Sequence, residues 1–355
     1  VCLAGYLGAE WYLNHVSNDQ STITAGLSYL NWFIPCMALQ FLMVAISAAL
    51  RGTGIVKPTM TAQMLSIIIN IILSPILIEG WLLGYKMGIA GAGLASSISV
   101  VCAVLMLVYY FKKSERFISF SVAQMPPKWK EIKRILGLGI PAGGEFFLMF
   151  IYMAFIYWLI QNFGAEAQAG FGLGSRIMQS LFLPAMAIAF AAPAVAGQNF
   201  VAKNYQRVRD TFKWSAIITC GFMTLLTILC LFQAQLLLGS FSSDEKVILF
   251  STVFLGLICW NFVPSGLVFT CSGLFQSLGN TWPALISTAT RLITFAVPAY
   301  WLSIQNEFYI EQIWYLSVTT VCIQACLSFY LLRREFTKRL PKEEDDKPSE
   351  TEVIA

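Results

Sequence analysis

The chain has 355 residues, of which 57% are hydrophobic and only 12% charged, against about 25% charged in soluble domains, so it cannot clothe a water-soluble globule. It reads as an all-α, polytopic membrane protein with no appended polar domain. A net charge of +4 is too small to signal nucleic acid, and nine cysteines without a CxxC pair argue against a disulfide framework or a metal site.

The first residues, Val1 to Trp11, are apolar but too short to span, and read as the tail of a helix that begins upstream. A polar segment, 10–27, follows. Nine apolar runs come next, bounded by Gly, Pro and charged residues: Ser28–Leu50, Met60–Glu79, Gly88–Phe111, Gly137–Ile160, Phe171–Ala196, Trp214–Leu238, Ile248–Phe275, Trp282–Ser303 and Phe308–Leu332. The interior stretch 112–136, with Pro126-Pro127 and seven basic residues, reads as a linker between a partial N-terminal bundle (1–111) and a C-terminal bundle (137–335). Within it, Lys128–Arg134 can form a basic amphipathic helix on the membrane surface or a solvated loop. The charged tail, 336–355, has little to bury and is expected to be disordered.

Basic residues set the predicted sides. With the C-terminus cytoplasmic, nineteen of 23 Lys and Arg fall inside, in the loops carrying Arg51 and Lys57, Lys112 to Arg134, and Lys203 to Lys213, and in the tail from Arg333. Only Lys86 and Lys246 fall outside. Arg176 and Arg291 lie within predicted spans and need partners.

The run Gly137–Ile160 poses the sharpest question, because it holds a carboxylate, Glu145. Eight residues of helix put that acid ~12 Å into a hydrocarbon core ~30 Å thick. Such placement costs about 2.5–3.5 kcal/mol, so acids of this kind usually face a cavity and handle ions or protons. The plainer reading is a structural pair with a buried arginine; Arg291, ~13 Å deep, is at the right level. Met149, Tyr152 and Met153 on the same helix can line a pocket for planar cations or simply pack. Pro35, Pro75, Pro184, Pro193, Pro264 and Pro298 can bend their spans.

An internal repeat also shows. The stretch from Ala49 and the stretch from Leu274 share a span, a short loop and a proline that opens the next span, with Gly54 to Pro58 and Gly279 to Pro283 at one spacing. Both loops fall on the predicted inner side, as in parallel repeats that place substrate between them.

ALRGTGIVKPTM (Ala49–Met60), NIILSP (Asn70–Pro75), GIAGAGLASSIS (Gly88–Ser99), GIPAGGE (Gly139–Glu145) and FGAEAQAGFGLGSRIMQSLFLPAMAIAFAAPAVAGQN (Phe163–Asn199) resemble the signature stretches of the multidrug and toxic compound extrusion (MATE) family. The resemblance runs over nearly all of 28–335. It implies a twelve-span fold of two six-helix lobes, of which this chain carries the fourth to twelfth spans and the end of the third. It also implies exchange of cationic amphipathic compounds for protons or sodium. In the proton-driven branch the coupling aspartate lies on the first span, outside this sequence. Glu145 matches a glutamate that many bacterial members have on the seventh span, whereas a sodium-driven branch has its acid at the position of Met149. Asn70 matches an asparagine of the N-lobe polar network. Ser74 and Ser265 stand where some members have acids, and Asn261 lies one turn before Ser265. Hydroxyls in place of acids weaken the case for a sodium site.

The expected function is therefore an antiporter working by alternating access, in which proton and cationic substrate compete for Glu145, with Asn70, Ser74, Asn261 and Ser265 in coupling roles. Met149, Tyr152, Met153, Arg176 and Arg291 are the candidate cavity residues. The expected setting is the cell membrane, monomeric, with organic cations and the bilayer as partners, no nucleic acid, no cofactor, and H+ or Na+ as coupling ion. A lipid-linked saccharide flippase of the same superfamily is the alternative, although it should want more cavity arginines for phosphate. An intramembrane enzyme is disfavoured by a single histidine, His15, and no HExxH; a channel lacks any visible pore ring.

Overall fold

A computed structural model describes residues 2–16, 19–81, 86–114, 128–239, 241, 244–305 and 308–340. Among these every regular element is helical. The centre of the expected linker, with Arg116 and Pro126-Pro127, and the tail from 341 lie outside the described residues. Nine described helical segments are long and apolar enough to cross a membrane. The chain divides into two compact units, Val1–Pro126 and Pro127–Ala355, a division that falls within the 112–136 stretch.

The first unit holds α1 (Cys2–Val16), α2 (Gln20–Gly52), α3 (Lys57–Glu79) and α4 (Ile89–Ser114). The polar segment 10–27 is mostly helical: its first part completes α1, and Asp19 caps α2 eight residues ahead of the predicted start. Helix α4 is the centre of the unit, packing on α2 and α3, which hardly touch each other. Close approach to α2 depends on Gly93, where a Cβ would lie 2.6 Å from the Tyr29 carbonyl oxygen. A hydrogen bond from Ser97 Oγ to the Trp32 carbonyl joins the same two helices. The core here is aliphatic, around Ile46, Leu50, Ala103 and Leu107.

The second unit holds α5 (Trp129–Ile160), α6 (Ala165–Val201), α7 (Tyr205–Gly239), α8 (Glu245–Ile258), α9 (Phe262–Ser277), α10 (Trp282–Ser303) and α11 (Ile310–Arg339). Lys130 to Arg134 form no separate surface helix: they are the first turns of α5, continuous with the span, since nothing between Lys130 and Gly137 breaks the helix. Likewise α11 runs on to Arg339, past the expected start of the tail. Arg339 is fixed there by an ion pair with Glu335 at 3.0 Å and donates to the Leu278 carbonyl at 2.6 Å. That contact meets a helix-end acceptor that would otherwise lack a partner.

The bends differ from those the prolines suggested. Pro35, Pro75, Pro184, Pro193 and Pro298 lie inside unbroken helices, whereas α7 kinks at Gln233 (φ −131°, ψ 21°) without any proline. Pro264 does coincide with a break: the chain tightens into a 3-10 turn at Cys259–Asn261 between α8 and α9. The proline ring crowds the carbonyl four residues earlier, that of Trp260, and supplies no N–H. Thr227 Oγ1 donates to the Cys259 carbonyl at 3.1 Å, so the broken ladder stays satisfied.

The sequence repeat has a backbone counterpart. After α2, the N–H groups of Thr53, Gly54 and Ile55 bond to the carbonyls of Ala49, Arg51 and Leu50; after α9, those of Leu278, Gly279 and Asn280 bond to Leu274, Gln276 and Phe275. Residue for residue the pattern is the same, with Gly54 and Gly279 both left-handed (φ 85° and 71°) and Pro58 and Pro283 both in the next helix's first turn.

Candidate functional site: a two-poled cavity in the second unit

The site grows from the packing of α5. This helix sits against α10 and barely touches its neighbour in sequence, α6. The space left is a cavity of about 320 Å³ lined by α5, α6, α8, α9, α10 and α11, all within the second unit. Three large aromatics, Phe171, Phe254 and Trp314, bound one end, Phe171 stacked on Trp314 with ring centroids 5.7 Å apart. Phe146, Met149, Met186 and Phe269 lie with Glu145 toward the other. Eleven of the 25 lining residues are aromatic or Met, surfaces that adapt to ligands of varied shape.

Glu145 and Arg291 are the charged side chains of the lining. Glu145 is 5% exposed and takes a hydrogen bond from Ser272 Oγ to Oε2 at 2.7 Å. The pairing with Arg291 that the matching depths allowed is not formed: no Lys, Arg or His nitrogen lies within 4.0 Å of the Glu145 carboxylate among the described residues. Depth along a helix does not fix its rotation, and Arg291 is turned to the face of Tyr152 instead, its Cζ 4.4 Å from the ring centroid. Tyr152 is itself anchored, its hydroxyl 2.8 Å from Ser317 Oγ, which accepts from Asn261 Nδ2 at 3.0 Å. Asn261 Oδ1 and Arg291 Nε are both buried without a hydrogen-bond partner.

Of the residues singled out in the sequence, Glu145, Met149, Tyr152, Met153, Asn261, Ser265 and Arg291 are brought together on this one cavity. Arg176 is not among them: it is an exposed residue of α6 and lies outside the lining, because its neighbour Ser175, not Arg176 itself, is turned inward. Asn70 and Ser74 belong to the first unit, where Asn70 Nδ2 donates to Ser96 Oγ at 3.1 Å and Ser74 Oγ approaches Asn70 Oδ1 at 3.4 Å. Among the described residues no group of three or more His, Cys, Asp or Glu side chains converges.

Sequence reasoning missed Ser272, Ser317, Gln324 and Thr288, the last two joined at 3.2 Å. A signal was present. Asn261, Ser265 and Ser272 fall four and seven residues apart, and Ser317, Gln324 and Ser328 seven and four, spacings that in a helix put each set on one face.

The sequence profile of the MatE family matches residues 1–76 and 141–301. Among curated proteins, the probable multidrug resistance protein YpnP of Bacillus subtilis (strain 168) is 28% identical over 297 residues, covering 84% of this chain and 65% of YpnP. The multidrug export protein MepA of Staphylococcus aureus is 26% identical over 325 residues, covering 89% and 69%. The chain thus spans about two thirds of the length of these relatives. A solved MOP superfamily transporter from Pyrococcus furiosus superposes with TM-score 0.87 at 20% identity, covering 96% of this chain and 76% of its own. The Vibrio cholerae MATE transporter VcmN in its bent form gives 0.80 at 20% identity, covering 95% and 76%. The solved structures share the all-helical transporter fold, the family profile covers more than half the residues, and the chain accordingly belongs to the MatE family of multidrug and toxic compound extrusion transporters.

Proposed function

We propose that the protein is a secondary antiporter that exports amphipathic organic cations in exchange for protons, and that cation and proton take turns at Glu145. The observation that carries this reading is a buried carboxylate with no cationic partner among the described residues, opening on a largely apolar, Met- and aromatic-rich cavity. A desolvated carboxylate holds either a proton or a cation but not both, and competition at one site is enough for exchange if each occupant lets the protein reorient. YpnP and MepA, named for multidrug resistance and export, support this substrate class. Asn261 and Ser265, on the cavity wall, and Asn70 and Ser74, in the first unit, are the proposed auxiliary polar positions. Protons are preferred over sodium because Ser74 and Ser265 offer neutral hydroxyls, poor ligands for a hard cation compared with carboxylates. The saccharide flippase reading is weaker still with Arg176 outside the cavity. The basic-residue asymmetry supports a cytoplasmic C-terminus, and the proposed setting is the cell membrane, with the protein acting as a monomer.

The test uses full-length protein in sodium-free proteoliposomes and the cationic dye rhodamine 123. An imposed proton gradient drives the dye uphill in wild type. Glu145→Gln keeps the shape and removes the charge, and slows this exchange by about tenfold or more, since neutralising one partner of a desolvated charge pair costs about 2–5 kcal/mol. Uphill transport that fails under the proton gradient in these sodium-free vesicles but appears when a sodium gradient replaces it rejects the proton version; undiminished exchange in Glu145→Gln rejects the role of Glu145.

A further inference from the structure

Arg291 is unused by the exchange just described, and its position in the second unit's cavity is costly enough to need a reason. The cavity carries one negative and one positive side chain, Glu145 and Arg291, with no ion pair between them. Tyr152, on which the guanidinium rests, lies seven residues beyond Glu145 on α5, about 10 Å of helical rise away. The guanidinium is held, not loose. Its platform is fixed by the Tyr152–Ser317–Asn261 hydrogen bonds and by the Phe295 ring, 4.7 Å from that of Tyr152. Nε is buried with no acceptor, and the planar fork has donors only. A fixed guanidinium in an apolar wall matches a planar carboxylate in two-point, charge-assisted contact.

We propose that Arg291 is a carboxylate-binding subsite of this cavity, so that its substrates include amphipathic zwitterions, acid end on Arg291 and cationic end toward Glu145. This deepens the antiporter reading and rests on the cavity being the substrate site. A purely cationic ligand gains nothing at Arg291 and meets its repulsion; a zwitterion of fitting length satisfies both poles and leaves the cavity neutral.

Rhodamine 110 and its methyl ester rhodamine 123 share one cationic ring system and differ in a free versus an esterified carboxylate. Fluorescence-polarisation titrations at neutral pH with purified full-length wild-type protein, Arg291→Gln and Arg291→Lys give a Kd for each dye. In Arg291→Gln the ratio of the rhodamine 110 Kd to the rhodamine 123 Kd rises about tenfold or more, equivalent to about 1.4 kcal/mol. In Arg291→Lys, which keeps the charge but loses the fork, the ratio rises as well, by less. Because the readout is a ratio within one preparation, a general loss of folded protein does not mimic it. An unchanged ratio in both variants overturns the subsite. Wild type that binds rhodamine 123 but not rhodamine 110 overturns it while the antiporter reading stands; wild type that binds neither dye rejects the cavity as the substrate site and the subsite with it.

Discussion

Glu145 and Asp19 show how far the surroundings decide what one carboxylate does. Asp19 is fully exposed at the start of α2, accepting from the hydroxyls of Ser21 and Thr22 at 2.7 and 2.6 Å and from their amides at 3.2 and 3.1 Å. These bonds, that from the Thr22 hydroxyl foremost, lower its pKa from 3.8 to about 2. A folded-state pKa depressed in this way gives a cap that is fully present above about 3.8 and is lost as pH falls through about 2. Hydrogen-exchange protection of the Ser21, Thr22 and Ile23 amides should therefore drop between pH 4 and pH 2 in wild type, while Asp19→Ala shows the reduced protection already at neutral pH. Glu145, in contrast, has one neutral donor and an apolar surround. Its consequence is read in transport and not in stability, through the Glu145→Gln exchange assay. The presence and depth of this acid could be read from the chain alone, since one carboxylate within a 24-residue apolar run stands out. Its partner could not, because Ser272 is 127 positions away and only the meeting of α5 and α9 joins them.

At the scale of the helix and its ends, the turn after α2, the turn after α9 and the turn after α6 use one device. Ala202, Lys203 and Asn204 bond to Gln198, Phe200 and Asn199 in the same offsets as the two repeat loops. Here, however, the left-handed position is held by Lys203, at φ 59°. An L side chain in that region costs about 1–2 kcal/mol, partly offset by the greater chain entropy that glycine loses on folding. Lys203→Gly should thus stabilise the protein by up to about 1 kcal/mol. Gly279→Ala should, by the same balance, destabilise it by up to about 1 kcal/mol through the backbone alone, since a Cβ there meets nothing within 4 Å. Thermal unfolding in detergent measures both. The glycine and proline spacing made two of these turns legible. The third was hidden by a lysine, and the kink at Gln233 by the absence of any breaker residue. In each case tertiary packing holds a conformation that the local sequence does not ask for.

Across the whole molecule, the distribution of lysine and arginine makes a claim about sides that can be checked directly. In cells carrying the full-length protein with its native cysteines replaced, Lys203→Cys should resist a membrane-impermeant maleimide until the membrane is permeabilised, whereas Lys246→Cys should react in intact cells. The opposite pattern would invert the topology and with it the direction of export.

Composition and periodicity by themselves determined that the chain is a helical membrane protein, where its nine apolar spans lie to within a few turns, and that one acid among them needs explaining. These follow from solvent: a helix in lipid must satisfy its own backbone and present apolar side chains, so the constraint is written into each run separately. Only the tertiary structure decided that Arg291 stacks on Tyr152 and does not pair with Glu145, that Ser272 holds the acid, and that Arg176 lies outside the cavity. Those outcomes depend on the rotation of each helix about its axis and on which helices become neighbours. Both are set by close packing between segments distant in sequence, where periodicity within one segment carries no information.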